Sequence, residues 1–185
     1  MATEAVTAEL GTLAPDFFLP GACGQYWSRG DVAGPHGLLV MFICNHCPYV
    51  QAILDRIVRD ALELQAMGYG VAAISSNDAD AYPDDSFDAM RRLWRDRRLP
   101  FPYLYDADQS VARAYGAACT PDFYGYDRDL RLQYHGRLDA SGRQPAPPGA
   151  RRELMEAMKH LRTTGRPVCA DRWVGGSGVF YLLAR

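Results

Sequence analysis

The chain has 185 residues, 48% of them hydrophobic and 23% charged, with a formal net charge of -2. That is room for one domain with a sizeable core, the composition is that of an ordinary soluble globular protein, and the charge gives no basis for a nucleic-acid or membrane-surface partner. No stretch reaches the roughly 18 apolar residues of a membrane span.

Residues 1–13 carry Glu4 and Glu9 and have neither a basic start nor an apolar centre, so they do not read as a secretory signal. The expected compartment is a reducing cytoplasm. Five cysteines with a single close pair fit a catalytic role better than a disulfide framework.

Residues 1–14 read as a loose lead-in. Ala14 to Pro20 is a short extended segment, Gly21 to Gln25 a turn, and Tyr26-Trp27-Ser28 a second extended segment, which together predict an N-terminal hairpin. Cys23 in that turn reads as an incidental surface thiol. Gly34-Pro35-His36-Gly37 breaks the chain before Leu38-Leu39-Val40-Met41-Phe42-Ile43, a strand apolar on both faces and so central to a sheet covered on both sides. Tyr49 to Met67 follows as an amphipathic helix whose apolar positions, from Val50 through Ile53, Leu54, Ile57, Val58 and Ala61 to Leu62, form one broad face. Gly68 ends it, and Gly70 to Ser75 is a second buried strand, which completes a right-handed strand–helix–strand unit.

Between the first strand and its helix stands Cys44-Asn45-His46-Cys47-Pro48. Two thiols on one helical turn can reach each other. If the helix begins near Asn45, the sulfur of Cys44 lies at its N-terminus, where unpaired N–H groups and the macrodipole favour negative charge. His46 adds a second stabilising influence on that thiolate relative to a disulfide sulfur, so the couple is expected to be comparatively oxidising. A free thiol titrates near ~8.5 and reactive ones at roughly 3.5–7.5, so Cys44 is expected to be largely thiolate at neutral pH. Pro48 suits the first turn of a helix, which needs no N–H there. A zinc site would want a second ligand pair, and no second CxxC or HxxxH follows. A structural disulfide across so short a loop contributes little and does not persist in a reducing cytosol.

Ser75-Ser76-Asn77-Asp78 falls at the carboxyl end of the second strand, the edge where ligands tend to sit; the residues line the cleft there or form a plain loop. Asp84 and Asp85 open a helix with Phe87, Met90 and Trp94 on its apolar side and an arginine-rich, solvated C-terminal half through Arg98, stopped by Pro100. Phe101 to Tyr105 predicts a short strand, and Asp108 caps a helix from Gln109 to Tyr115. Next comes Cys119-Thr120-Pro121, where a proline opens the strand Asp122 to Tyr126. With a cis bond before Pro121, the backbone of Thr120 is expected to lie open to an extended substrate beside Cys44. Asp127-Arg128-Asp129 turns into an edge strand, Leu130 to Leu138; residues 139–149 form a loop, and Ala150 to Leu161 a last amphipathic helix. The tail, residues 163–185, joins a glycine-rich stretch to an apolar one and could pack as an arm or mediate a homodimer. The chain reads as one domain, 1–185, with its core at about 11–162.

A strand-to-helix CxxC, a Thr-Pro opening a later hairpin and a terminal helix resemble the thioredoxin superfamily. The lead-in Ala14-Pro15-Asp16-Phe17-Phe18-Leu19-Pro20 resembles its alkyl hydroperoxide reductase and thiol-specific antioxidant (AhpC/TSA) branch. The resemblance implies an α/β, three-layer thioredoxin-like fold: a central mixed sheet, helices on both faces and the N-terminal hairpin as an extension. It implies a thiol–disulfide oxidoreductase in which Cys44 attacks, Cys47 resolves, Asn45 and His46 sit between them, and Thr120 with a cis Pro121 faces the pair. The substrate would be a disulfide-containing protein or a small disulfide, and an external dithiol donor would return the electrons. Neither a cofactor nor a metal is called for.

In thioredoxin a buried carboxylate occupies the strand before the pair; here that strand offers Met41, so resolution falls to water or His46. Two other readings stand beside this one. A peroxiredoxin-like antioxidant peroxidase would place a proline and a threonine where this chain has Val40 and Cys44, with Arg137 assisting an anionic sulfur. A non-catalytic redox sensor would only report oxidation. Cys119, two residues before Pro121, reads either as a small buried residue or as a third redox thiol near the pair, and Cys169 in the tail as a resolving thiol.

Overall fold

The computed structural model describes residues 8–167 and, as backbone only, 181–182. In chain order its elements are β1 (Phe18–Pro20), β2 (Tyr26–Ser28), α1 (Arg29–Val32), β3 (Leu38–Phe42), α2 (Pro48–Ala66), β4 (Gly70–Ser75), α3 (Phe87–Asp96) and β5 (Tyr103–Tyr105). There follow α4 (Ser110–Tyr115), β6 (Cys119–Thr120), β7 (Asp122–Tyr126), β8 (Leu132–Gly136), α5 (Glu153–Thr164) and β9 (Tyr181–Leu182). The five-stranded sheet runs β5-β4-β3-β7-β8; β3, β4 and β5 are parallel, and β7 and β8 return antiparallel. β1 and β2 form the expected hairpin.

β3 is central and every residue of it is buried. Its alternation sorts the core into two layers, because successive side chains point to opposite faces. Leu39 and Met41 pack with Val50, Ile53, Leu54 and Ile57 of α2, Met90 of α3 and Leu154 and Met158 of α5. Leu38, Val40 and Phe42 pack on the other face with Val32 of α1 and Val111, Ala112 and Tyr115 of α4. This is the three-layer, thioredoxin-like arrangement that the resemblance implies. Among the described residues, no helix is long and apolar enough to cross a membrane.

Three local readings are corrected. The helix after the cysteines starts at Pro48, not near Asn45, and Cys47 is its N-cap with φ -63° and ψ 116°. The residue before a proline is pushed out of the helical region, so the helix could not have begun earlier. Asp84 and Asp85 do not open α3. They end a single 3-10 turn, Pro83–Asp85, while Ser86 caps α3 by accepting the N–H of Ala89, and Asp85 turns inward to complete burial. At α4 Asp108 accepts the Ser110 N–H, but the N-cap is Gln109, and it is buried Asp106 that accepts the N–H groups of Val111 and Ala112.

Candidate active site

The turn between β3 and α2 brings the two sulfurs together as free thiols, and both cysteines are fully buried. Each touches Thr120 on β6: the Cys44 Sγ lies 3.3 Å from its Oγ1, and the Cys47 thiol donates to its carbonyl oxygen at 3.5 Å. Thr120–Pro121 is a cis peptide, as expected. The backbone of Cys119–Thr120 pairs antiparallel with β9, Thr120 opposite Tyr181, so the main-chain edge expected to be open carries a strand of this same chain.

The charge is distributed differently from the reading in which Cys44 is the thiolate. Cys47 accepts a hydrogen bond from the Cys44 thiol and is approached by the N–H groups of Val50 and Tyr49 in the first turn of α2, which together bring its pKa down to about 6 against the opposing effect of burial. Cys44 goes the other way. Its proton is shared toward Cys47, burial disfavours its ionised form, and the nearby Asp85 carboxylate repels negative charge there, so its pKa is raised. Because α2 begins at Pro48, its unpaired N–H groups reach the second sulfur rather than the first. The two thiols titrate as a coupled pair, with ionisation displaced toward Cys47; the protonated Cys47 thiol is the one that donates to the Thr120 carbonyl.

Asp85 is the residue that the sequence reading misplaces. One of its carboxylate oxygens accepts the backbone N–H groups of Asn45 at 2.7 Å and His46 at 3.0 Å. The other bonds Nδ1 of His46 and accepts from Nδ2 of Asn77 at 2.7 Å. Asn77 thus lines the site from the end of β4. Asn45 is further tied by the Tyr103 hydroxyl, which donates to its Oδ1 at 2.9 Å, and by its own Nδ2, which donates to the Asp84 carbonyl at 2.9 Å. Tyr103 is buried and its pKa is held well above the ordinary tyrosine value, chiefly by burial, so its hydroxyl remains a donor. The His46 ring stacks on Tyr82, centroids 4.5 Å apart.

Nothing in the local sequence flags Asp85, Tyr82 or Tyr103 as partners of the pair, since the first two arrive from the loop after β4 and Tyr103 from β5. The carboxylate that β3 lacks therefore comes to the site from the loop after β4. Cys44, His46 and Asp85 offer a thiolate, an imidazole and a carboxylate with their ligand atoms within 4.8 Å of one another, the donor types zinc accepts. Yet both Asp85 oxygens are engaged by N–H donors, one of them the same imidazole, so the cluster is bonded to itself.

The remaining candidates fall outside this network. Cys119 is buried on β6, its pKa raised by burial and by Asp122, which makes it a small interior side chain with little thiolate character. Cys23 is exposed in the hairpin turn and accepts from Trp27 Nε1 at 3.4 Å. Arg137 donates to both carboxylate oxygens of Glu153, at 2.8 and 3.0 Å, and is thereby engaged as an ion pair. Cys169 lies outside the described residues.

Residues 10–135 match the AhpC/TSA family. An uncharacterized conserved protein from Geobacillus kaustophilus is 38% identical, with a TM-score of 0.86 over 100% of this chain and 96% of that one. A hypothetical protein from Sinorhizobium meliloti is 37% identical, with a TM-score of 0.79 over 96% of this chain and 95% of that one. The thioredoxin domain of a thiol-disulfide oxidoreductase from Bacteroides vulgatus, 14% identical, shares the fold with a TM-score of 0.59 over 71% of this chain and 90% of that one. No curated protein matches the chain.

Proposed function

The chain belongs to the AhpC/TSA family, and on that premise we propose that it is a thiol–disulfide oxidoreductase whose reactive groups are Cys44 and Cys47. The observation that carries the reading is geometric: two free, buried thiols in the turn that opens α2, both sulfurs against Thr120, with Cys47 as the helix N-cap and its ionisation favoured there. Such a pair stores two electrons and can release them one sulfur at a time.

The cycle balances as follows. Cys44 attacks one sulfur of a substrate disulfide while its proton passes to Cys47; the substrate S–S bond breaks, a mixed disulfide forms, and the first substrate sulfur leaves and takes a proton from solvent. Cys47 then attacks the Cys44 sulfur, its proton, whose loss the α2 N–H groups favour, passing to the departing second substrate sulfur. The Cys44–Cys47 disulfide forms, the mixed disulfide breaks, and the second substrate thiol departs. Two electrons and two protons pass to the substrate, and an external dithiol donor restores the pair. Asn45 and His46 hold the turn, and Thr120 presents the main chain that an extended disulfide-bearing peptide would pair with. In that case β9 must first leave Thr120. The reaction needs no cofactor beyond the cysteines, and the whole chain is read as a single domain.

The test is reduction of insulin disulfides with a dithiol donor. Cys44→Ser should abolish turnover, and Cys47→Ser should accumulate the mixed disulfide. A Cys47→Ser protein that consumes peroxide at the full wild-type rate, with no insulin reduction by the wild type, would replace this reading with a peroxidase.

A further inference from the structure

Asp85 is fully buried and accepts hydrogen bonds from two backbone N–H groups of the CxxC turn, while its second oxygen holds the His46 ring and Asn77. A solvated carboxylate that only opened a helix would do none of this. Removing such a group from water is costly unless each oxygen is matched by donors, and here each has two. The donors come from the redox turn itself and from the end of the neighbouring strand, so the carboxylate ties the position of the turn to the sheet.

We propose that Asp85 is the positioning residue of the dithiol site: by gripping the Asn45 and His46 backbone and the His46 ring, it sets where the Cys44 sulfur stands against Cys47 and Thr120 and keeps a negative charge beside it. The inference rests on the pair being redox-active, and it assigns to Asp85 the control of how strongly the pair oxidises or reduces. A carboxylate beside Cys44 disfavours the thiolate there, in agreement with the direction in which Cys44 is displaced. The same charge repels the anion that the reduced pair carries on either sulfur, whereas the disulfide carries none, so Asp85 disfavours the reduced state and makes the couple more reducing.

The charged and titratable groups around it are Cys44 and Cys47 of the turn, His46 bonded to it with Tyr82 stacked on that ring, Tyr103 and Tyr105 of β5, both of which feel its charge, and Asp78 and Asp80, whose charges also act on Tyr105. An asparagine at position 85 keeps the shape and one acceptor oxygen for the two backbone N–H groups, but turns an amide donor toward Asn77 or His46 and removes the charge. Charge and packing can therefore be separated.

The experiment compares full-length wild type, Asp85→Asn and Asp85→Glu. Alkylation rates are followed against pH separately at Cys44 and Cys47, and the pair is equilibrated in dithiothreitol redox buffers, with circular dichroism as the check on folding. Asp85→Asn is expected to move the Cys44 alkylation midpoint to lower pH and to shift the equilibrium about tenfold toward the dithiol, about 30 mV more oxidising. Asp85→Glu should return both values part of the way. A folded Asp85→Asn protein with both midpoints and the potential unchanged overturns the proposal. If Asp85→Asn does not fold, Asn77→Ala removes one donor from the same carboxylate and should raise the Cys44 midpoint; no change there overturns it equally. The alkylation arm needs no disulfide, so a pair that never forms one defeats the oxidoreductase reading and leaves the role of Asp85 to be decided by the midpoints.

Discussion

Assigning the anion to Cys47 makes a sharp prediction for alkylation of the reduced protein. With its pKa near 6, Cys47 is about nine-tenths thiolate at pH 7, where an ordinary thiol titrating at ~8.5 is about three per cent ionised, roughly a thirtyfold difference. Thiolate nucleophilicity falls with pKa, with a Brønsted slope of about 0.4–0.5, so about two and a half units cost roughly thirteenfold and the net advantage over an unperturbed thiol is only about twofold at pH 7. Burial lowers the absolute rate of both cysteines further. The diagnostic is therefore the midpoint, not the rate: iodoacetamide labelling, with the site read by fragment-ion mass spectrometry, should plateau above about pH 7 at Cys47 and keep rising beyond pH 9 at Cys44. Cys44→Ser leaves a hydroxyl to donate to Cys47 and should keep the midpoint near 6, whereas Cys44→Ala removes the largest stabilising contact and should raise it. A midpoint near 6 that maps to Cys44, or a Cys47 rate still climbing at pH 9, would refute the reasoning and return the anion to the first sulfur.

Other outcomes follow from the packing. Arg56 donates to both oxygens of buried Asp139 and to the carbonyls of Gly142 and Gln144; Arg56→Ala strands that carboxylate and should cost about 3 kcal/mol in urea unfolding, with a carboxylate this well paired accounting for most of the loss. Met90 is fully buried between α3 and the sheet, so Met90→Ala should destabilise by about 2–5 kcal/mol in the same assay while leaving the alkylation midpoints in place. A chain ending at Arg166 lacks β9 and should capture peptide disulfides on Cys47→Ser several-fold faster, since pairing at Thr120 is worth about 1 kcal/mol per hydrogen bond; an unchanged capture rate in a folded truncation would show that β9 does not obstruct the edge.

The fold was readable where the local pattern has one solution. Five consecutive buried residues in β3, followed by a 3.6-residue periodicity and a second apolar strand, leave little choice but a parallel unit with helices on both faces. Even the start of α2 was present in the sequence, because Pro48 excludes Cys47 from the helical region. That rule outweighs the reading that began the helix at Asn45 and so placed the macrodipole under the wrong sulfur. Asp85 illustrates the opposite case. Pro83-Asp84-Asp85-Ser86 has the composition of a helix N-terminus, and which of its side chains turns inward depends on the donors across the gap, on Asn45, His46 and Asn77, up to 40 residues away in the chain.

Periodicity, proline and the CxxC spacing act through backbone geometry over a few residues, so the sequence by itself determined the central strands, most of the α2 core face (Leu62, placed on it, is exposed), the AhpC/TSA resemblance and the meeting of the two thiols. Protonation is a balance of burial, charge and hydrogen bonding summed over everything within several ångströms, whatever its distance along the chain. Only the tertiary structure showed that ionisation is displaced toward Cys47, that the buried Asp85 carboxylate holds the backbone of Asn45 and His46, and that the Thr120 edge is paired with β9.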